Sequence, residues 1–112
     1  GRFQLDAFYE TISAEDLKTE LDLCWVKVGG ADPAAYLKKY AGRCPVVHVK
    51  DFVYRDGEVV LVAVGDGDVQ AEAVVPAAVE SGAKWLVIEQ DSHTFGTPME
   101  NMEKSLKCVK AQ

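Results

Sequence analysis

The chain has 112 residues, the length of one domain and too short for two, and its 48% hydrophobic and 27% charged residues exclude a disordered tail. Twelve Lys and Arg against eighteen Asp and Glu leave a net charge of −6 with no basic cluster, which argues against a nucleic-acid partner. The longest apolar run, Val59 to Val64, falls far below the roughly 20 residues of a membrane span, and no signal-peptide pattern opens the chain. Cys24, Cys44 and Cys108 are odd in number and lack a CxxC spacing, so neither a disulfide framework nor a zinc ribbon is expected, and a reducing, cytoplasmic setting fits.

Leu5, Phe8, Tyr9 and Ile12 recur at helical spacing, and Ser13 reads as the N-cap of a short turn through Leu17. Glu20 to Val26 reads as a strand, closed by Gly29-Gly30. Asp32-Pro33 is an N-cap followed by proline at the first helical position, opening a helix with Tyr36, Leu37 and Tyr40 on one face and Gly42 after its end. Pro45 to Asp51 is short, β-branched and bounded by turn formers, which predicts a buried strand. Residues 52 to 68 are irregular, with Asp56-Gly57 as a hairpin turn and Gly65 to Asp68 as a loop. Val69, Ala73, Val74, Ala77 and Ala78 predict a helix that Pro76 kinks or breaks. Lys84 to Gln90 is the third strand; after a loop from Asp91 to Thr97, Pro98 opens a helix with Met102, Leu106 and Val109 on one face.

Strands alternating with helices predict an α/β fold with a parallel sheet joined by right-handed crossovers. Three strands are few for such a sheet, so its open edges and faces predict further strands from elsewhere. Alternation along each strand places Glu20, Asp22 and Cys24 on one side, then Val46, His48 and Lys50, then Val87, Glu89 and Asp91. Each strand thus brings one metal-capable group, Asp22, His48 or Glu89, toward one face near its C-terminal end, where parallel α/β sheets place their sites. Carboxylate, imidazole and carboxylate suit a divalent ion such as Mn, Mg, Co or Zn, with positions open to substrate oxygens. Singly, each has a commoner structural role as a cap, a hydrogen-bonded core group or a solvated strand end; their coincidence on three strands is the signal.

Leu21-Asp22-Leu23-Cys24-Trp25-Val26, Gly29-Gly30-Ala31-Asp32-Pro33, Gly42-Arg43 leading to Val47-His48-Val49-Lys50-Asp51, Val64-Gly65-Asp66-Gly67 and Val87-Ile88-Glu89-Gln90-Asp91 follow one another along the chain. Together they resemble the sugar phosphate isomerase/epimerase family, which shares the xylose isomerase-like TIM barrel. A full barrel takes eight strands and about 250 residues. The resemblance therefore implies that residues 1–112 are a single partial domain, the C-terminal portion of a (β/α)8 barrel at about strands six to eight. The opening at Gly1 rather than Met carries the same expectation of a longer parent chain.

The resemblance further implies a metal-dependent sugar or polyol isomerase or epimerase, moving protons at carbon next to a carbonyl through a metal-stabilised ene-diolate. Asp22, His48 and Glu89 match three of the family's four ligands, and the first Glu has no counterpart here. Glu89 would be both ligand and catalytic acid/base. Lys50 is a substrate-binding candidate or a lysine reaching solvent, and Trp25 stacks on a sugar ring or packs at the rim. Trp25 stands where ketose 3-epimerases carry a substrate-binding His, and Tyr54, with Arg55 beside it, where they carry an Arg, so that specificity is not expected. The His-x-Lys-Asp string looks more like a dehydratase or lyase of inositol-type substrates. The implied partners are a small carbohydrate or polyol and the remaining barrel strands, from a longer parent chain or another copy. The competing expectation is a non-catalytic truncated-barrel module that self-associates.

Overall fold

The structure, a computed structural model, describes residues 1–112. Helix α1 (Gln4–Thr11) lies against the rest of the chain through Asp6, which is buried. Its carboxylate accepts hydrogen bonds from the Tyr36 hydroxyl at 2.7 Å and the Tyr40 hydroxyl, and pairs with Lys39 at 2.8 Å. The segment that follows is held by Arg43, whose guanidinium donates to the carbonyls of Tyr9, Ile12 and Leu17 at 2.8–3.0 Å. Those carbonyls have no helix or strand partner, and a planar fork of donors satisfies three at once.

The first strand, β1 (Glu20–Asp22), is shorter than its sequence suggests, because the chain turns at once into helix α2 (Leu23–Val28). The run Leu23-Cys24-Trp25-Val26 fits a strand or a buried helix equally well by composition. Asp22 decides between them: its side chain accepts from the backbone N–H of Cys24 at 3.1 Å and Trp25 at 3.3 Å, capping α2. Cys24 and Trp25 therefore sit on a helix, not on the strand face. Helix α3 (Pro33–Lys39) starts as expected, with the Asp32 carboxylate accepting from the Ala34 N–H at 3.0 Å.

Strands β2 (Val46–Val49) and β5 (Trp85–Ile88) complete a parallel sheet with β1 in the order β1-β2-β5. Asp22 is in register with His48, and His48 with Val87. Between them the irregular stretch folds into an antiparallel hairpin of β3 (Asp51–Arg55) and β4 (Glu58–Val62). Its turn is Asp56-Gly57, with φ of 51° and 78°, the doubly left-handed geometry that matches the twist of flanking strands. Helix α4 (Ala71–Glu80) runs unbroken through Pro76. The hydrogen bond that proline removes falls on the carbonyl of Glu72, an exposed residue, where water can take its place.

Helix α5 (Pro98–Lys110) opens on a capping box between Thr97 and Glu100. It buries Asn101 and Ser105, so its inward face is turned one position from the expected stripe, and Leu106 stays 45% exposed. Polar partners set that rotation: Ser105 Oγ accepts from the Val64 N–H at 2.9 Å, and the Asn101 amide donates to the Phe95 carbonyl at 2.8 Å. Asn101 also holds His93 at 2.9 Å, tying down the 91–97 loop.

The core lies on one side of the sheet, where Leu21, Val47 and Val49 meet Leu37, Val74 and Ala78 of α3 and α4. Each fully buried Val or Leu contributes about 1.5–3 kcal/mol. The opposite face of the sheet has no covering layer: His48 is half-buried, and Trp85 and Val87 are 70% and 41% exposed. No helix is long and apolar enough to cross a membrane.

Candidate metal centre

Asp22, His48 and Glu89 converge on the uncovered face at the C-terminal ends of β1, β2 and β5, as their alternation predicts. One ligand atom from each lies within 4.8 Å of the others. The His48 ring turns Nδ1 toward Glu89 Oε2 at 3.0 Å and Asp22 Oδ2 at 3.7 Å, and Nε2 against Glu20 Oε1. A carboxylate on the far nitrogen is the partner that orients a metal-ligating histidine. The donor set, two carboxylates and an imidazole at one point, therefore fits a divalent ion.

Lys50 lies in the same cluster. Its ammonium, only 4% exposed, is 3.0 Å from Asp22 Oδ2, 2.8 Å from Glu89 Oε2 and 2.7 Å from Asp91 Oδ2. Burial by itself lowers the Lys50 pKa, but hydrogen bonds to Asp91, Glu89 and Asp22 outweigh it and leave the group above the ordinary lysine value. In turn the Lys50 hydrogen bond holds the Glu89 carboxyl below the usual carboxylate range. The Trp25 ring is half-exposed beside the cluster, with the Lys50 ammonium 5.8 Å from its centroid. Cys24 is fully buried; desolvation first and the Asp22 charge second push its thiol up to about 12, which leaves it an inert filler.

The backbone beneath Lys50 is fixed by Asp51. This carboxylate, 1% exposed, accepts on Oδ1 from the N–H groups of Phe52 at 2.9 Å and Val69 at 3.0 Å. On Oδ2 it accepts from Gly65 at 3.0 Å and Gly67 at 3.1 Å. The glycine-rich loop thus cradles the chain's own carboxylate in its backbone N–H groups. At Gly67 a Cβ would fall 2.3 Å from Asp51 Oδ1, so only glycine lets the loop approach this closely.

Glu20 and Asp91 are the residues that sequence reasoning left out of the site. Alternation had put both on the correct face; what it could not supply was their contact with His48 and Lys50. An apolar cleft of about 290 Å³, lined by Phe3, Leu5, Leu21, Trp25 and Tyr36, adjoins the metal centre through Glu20 and Asp22 without reaching His48 or Glu89.

No protein-family model matches the sequence, and no curated protein matches it. Two crystal structures of a sugar phosphate isomerase/epimerase from Parabacteroides distasonis ATCC 8503 match the structure. The first has a TM-score of 0.74 at 22% identity, over 100% of this chain and 36% of that one. The second has a TM-score of 0.74 at 21% identity, over 99% and 36%. The likeness is one of fold: this α/β chain with its three-stranded parallel sheet matches part of a TIM-barrel isomerase and spans about a third of its length.

Proposed function

We propose that the chain is part of a metal-dependent sugar or polyol isomerase or epimerase, and that Asp22, His48 and Glu89 supply three ligands of its ion. The observation that carries this reading is the meeting of their ligand atoms within 4.8 Å at the C-terminal ends of three parallel strands. The fold likeness to a sugar phosphate isomerase/epimerase supports it. In this reading residues 1–112 are one partial domain, about strands six to eight of a barrel, and the uncovered face with His48, Trp85 and Val87 is barrel interior. Parallel sheets are normally covered on both faces, and the remaining strands, from a longer parent chain or a second copy, provide that cover.

A divalent ion bound there supplies Lewis-acid polarisation of a substrate carbonyl. Glu89, as a carboxylate, takes the proton from the carbon next to the carbonyl and, in an isomerase, returns it on the neighbouring carbon. Lys50 donates a hydrogen bond to a substrate oxygen, and the Trp25 ring flanks the substrate and excludes water from one side. Asp51 keeps Lys50 aimed by pinning the next peptide to the 65–69 loop.

Calorimetric titration with Mn²⁺ tests the ligand set. The chain is expected to bind, and His48→Ala to bind at least about tenfold more weakly. Equal affinity in the two proteins would remove His48 from the set, and no binding to the unaltered chain would overturn the metal reading.

A further inference from the structure

We propose that Lys50 is the site's own counter-cation: its ammonium lies between Asp22 and Glu89, and a divalent ion enters by driving it onto Asp91. This rests on the metal reading above. Glu20, Asp22 and Glu89 place three carboxylates around one imidazole, Asp91 adds a fourth beside them, and Lys50 is the one lysine or arginine paired with any of the four. Without a cation between them, Asp22 and Glu89 repel each other across the space that a metal would fill. The Lys50 ammonium bonds to both at 3.0 Å and 2.8 Å, and so stands where a shared positive charge is required.

Its third partner makes the exchange feasible. Asp91 Oδ2 is 2.7 Å from the ammonium yet belongs outside the group of converging ligand atoms. The carboxylates grade outward, with Asp22 17% exposed, Glu89 40% and Asp91 56%. Retreat onto Asp91 therefore carries the ammonium toward water, where losing two partners costs least. The backbone need not move. Four N–H bonds to Asp51 fix the peptide after Lys50, while its flexible stem swings beside the Trp25 ring.

Calorimetry with Mn²⁺ on the chain, Lys50→Met, Asp91→Asn and the double variant tests this. Lys50→Met is expected to tighten Mn²⁺ binding at least about tenfold. Asp91→Asn removes the retreat, so it is expected to weaken binding severalfold when Lys50 is present and markedly less when Met is there, a non-additivity that simple charge removal does not produce. A measurement on the unaltered chain covers the case in which Lys50→Met does not fold. Acetylation of the Lys50 amine, mapped by mass spectrometry, is expected to rise on Mn²⁺ saturation as the group moves outward. Equal Mn²⁺ affinity with and without Lys50, equal effects of Asp91→Asn in both backgrounds, or unchanged acetylation would overturn the counter-cation role and leave the metal reading standing. No binding by the unaltered chain would overturn both.

Discussion

Asp51 offers the sharpest test of how the site is supported. Replacing it by asparagine keeps the shape and removes the charge, and the geometry says what is lost. The four N–H donors divide two and two, Phe52 and Val69 on Oδ1, Gly65 and Gly67 on Oδ2. An amide has one acceptor oxygen, so whichever way the new side chain is flipped it satisfies one pair and turns its own N–H₂ group against the other. Two hydrogen bonds to a charged acceptor, at about 1.5 kcal/mol each, put the loss near 3 kcal/mol, a large share of the roughly 5–15 kcal/mol that holds a typical domain together. In urea unfolding of Asp51→Asn followed by far-UV circular dichroism, the midpoint is expected to fall by about 1–3 M with the slope unchanged. A loss below about 1 kcal/mol would refute the reasoning, because it would mean that the 65–69 loop finds its donors other partners at little cost.

Two further predictions concern stability. Gly67→Ala forces a Cβ to within 2.3 Å of both Asp51 Oδ1 and the Phe52 carbonyl, and is expected to cost about 2–3 kcal/mol in the same urea assay; combined with Asp51→Asn it should lose less than the sum, since both break one contact. For Asp6, the Lys39 ion pair first, then the Tyr40 and Tyr36 hydroxyls, lower the folded carboxyl from 3.8 to about 2. The unfolded chain then holds the proton more tightly, so the stabilisation is full above about pH 5 and disappears as the pH falls through about 2. Allowing for the half-exposed Lys39, Asp6→Asn is expected to cost about 1–2 kcal/mol at pH 7 and almost nothing near pH 2. A gap between the two proteins that does not narrow on acidification would count against this role.

The elements that follow from local chemistry are those that could be read from the sequence. Asp32-Pro33 and Pro98 start helices, and Asp56-Gly57 makes a turn, because capping, fixed φ and left-handed tolerance act within a few residues. The twofold period of strands likewise put Asp22, His48 and Glu89 on one face, and the parallel order followed from strands separated by helices. Where two local preferences balance, as at Leu23 to Val26, sequence patterning failed, and one side-chain cap on Asp22 settled the boundary.

The tertiary structure alone decided what depends on residues far apart in the chain. The inward face of α5 follows from the Ser105 and Asn101 hydrogen bonds rather than from its apolar stripe. The loop anchored on Asp51 brings together residues up to 18 positions apart. The Lys50 ammonium reaches Glu89 and Asp91, far along the chain, only because β2 and β5 lie side by side. By itself the sequence determined which side chains share a face, since alternation is a property of one strand. Which of them touch, and that a lysine holds the place between two candidate ligands, depended on strand register and burial, which arise only when distant segments pack.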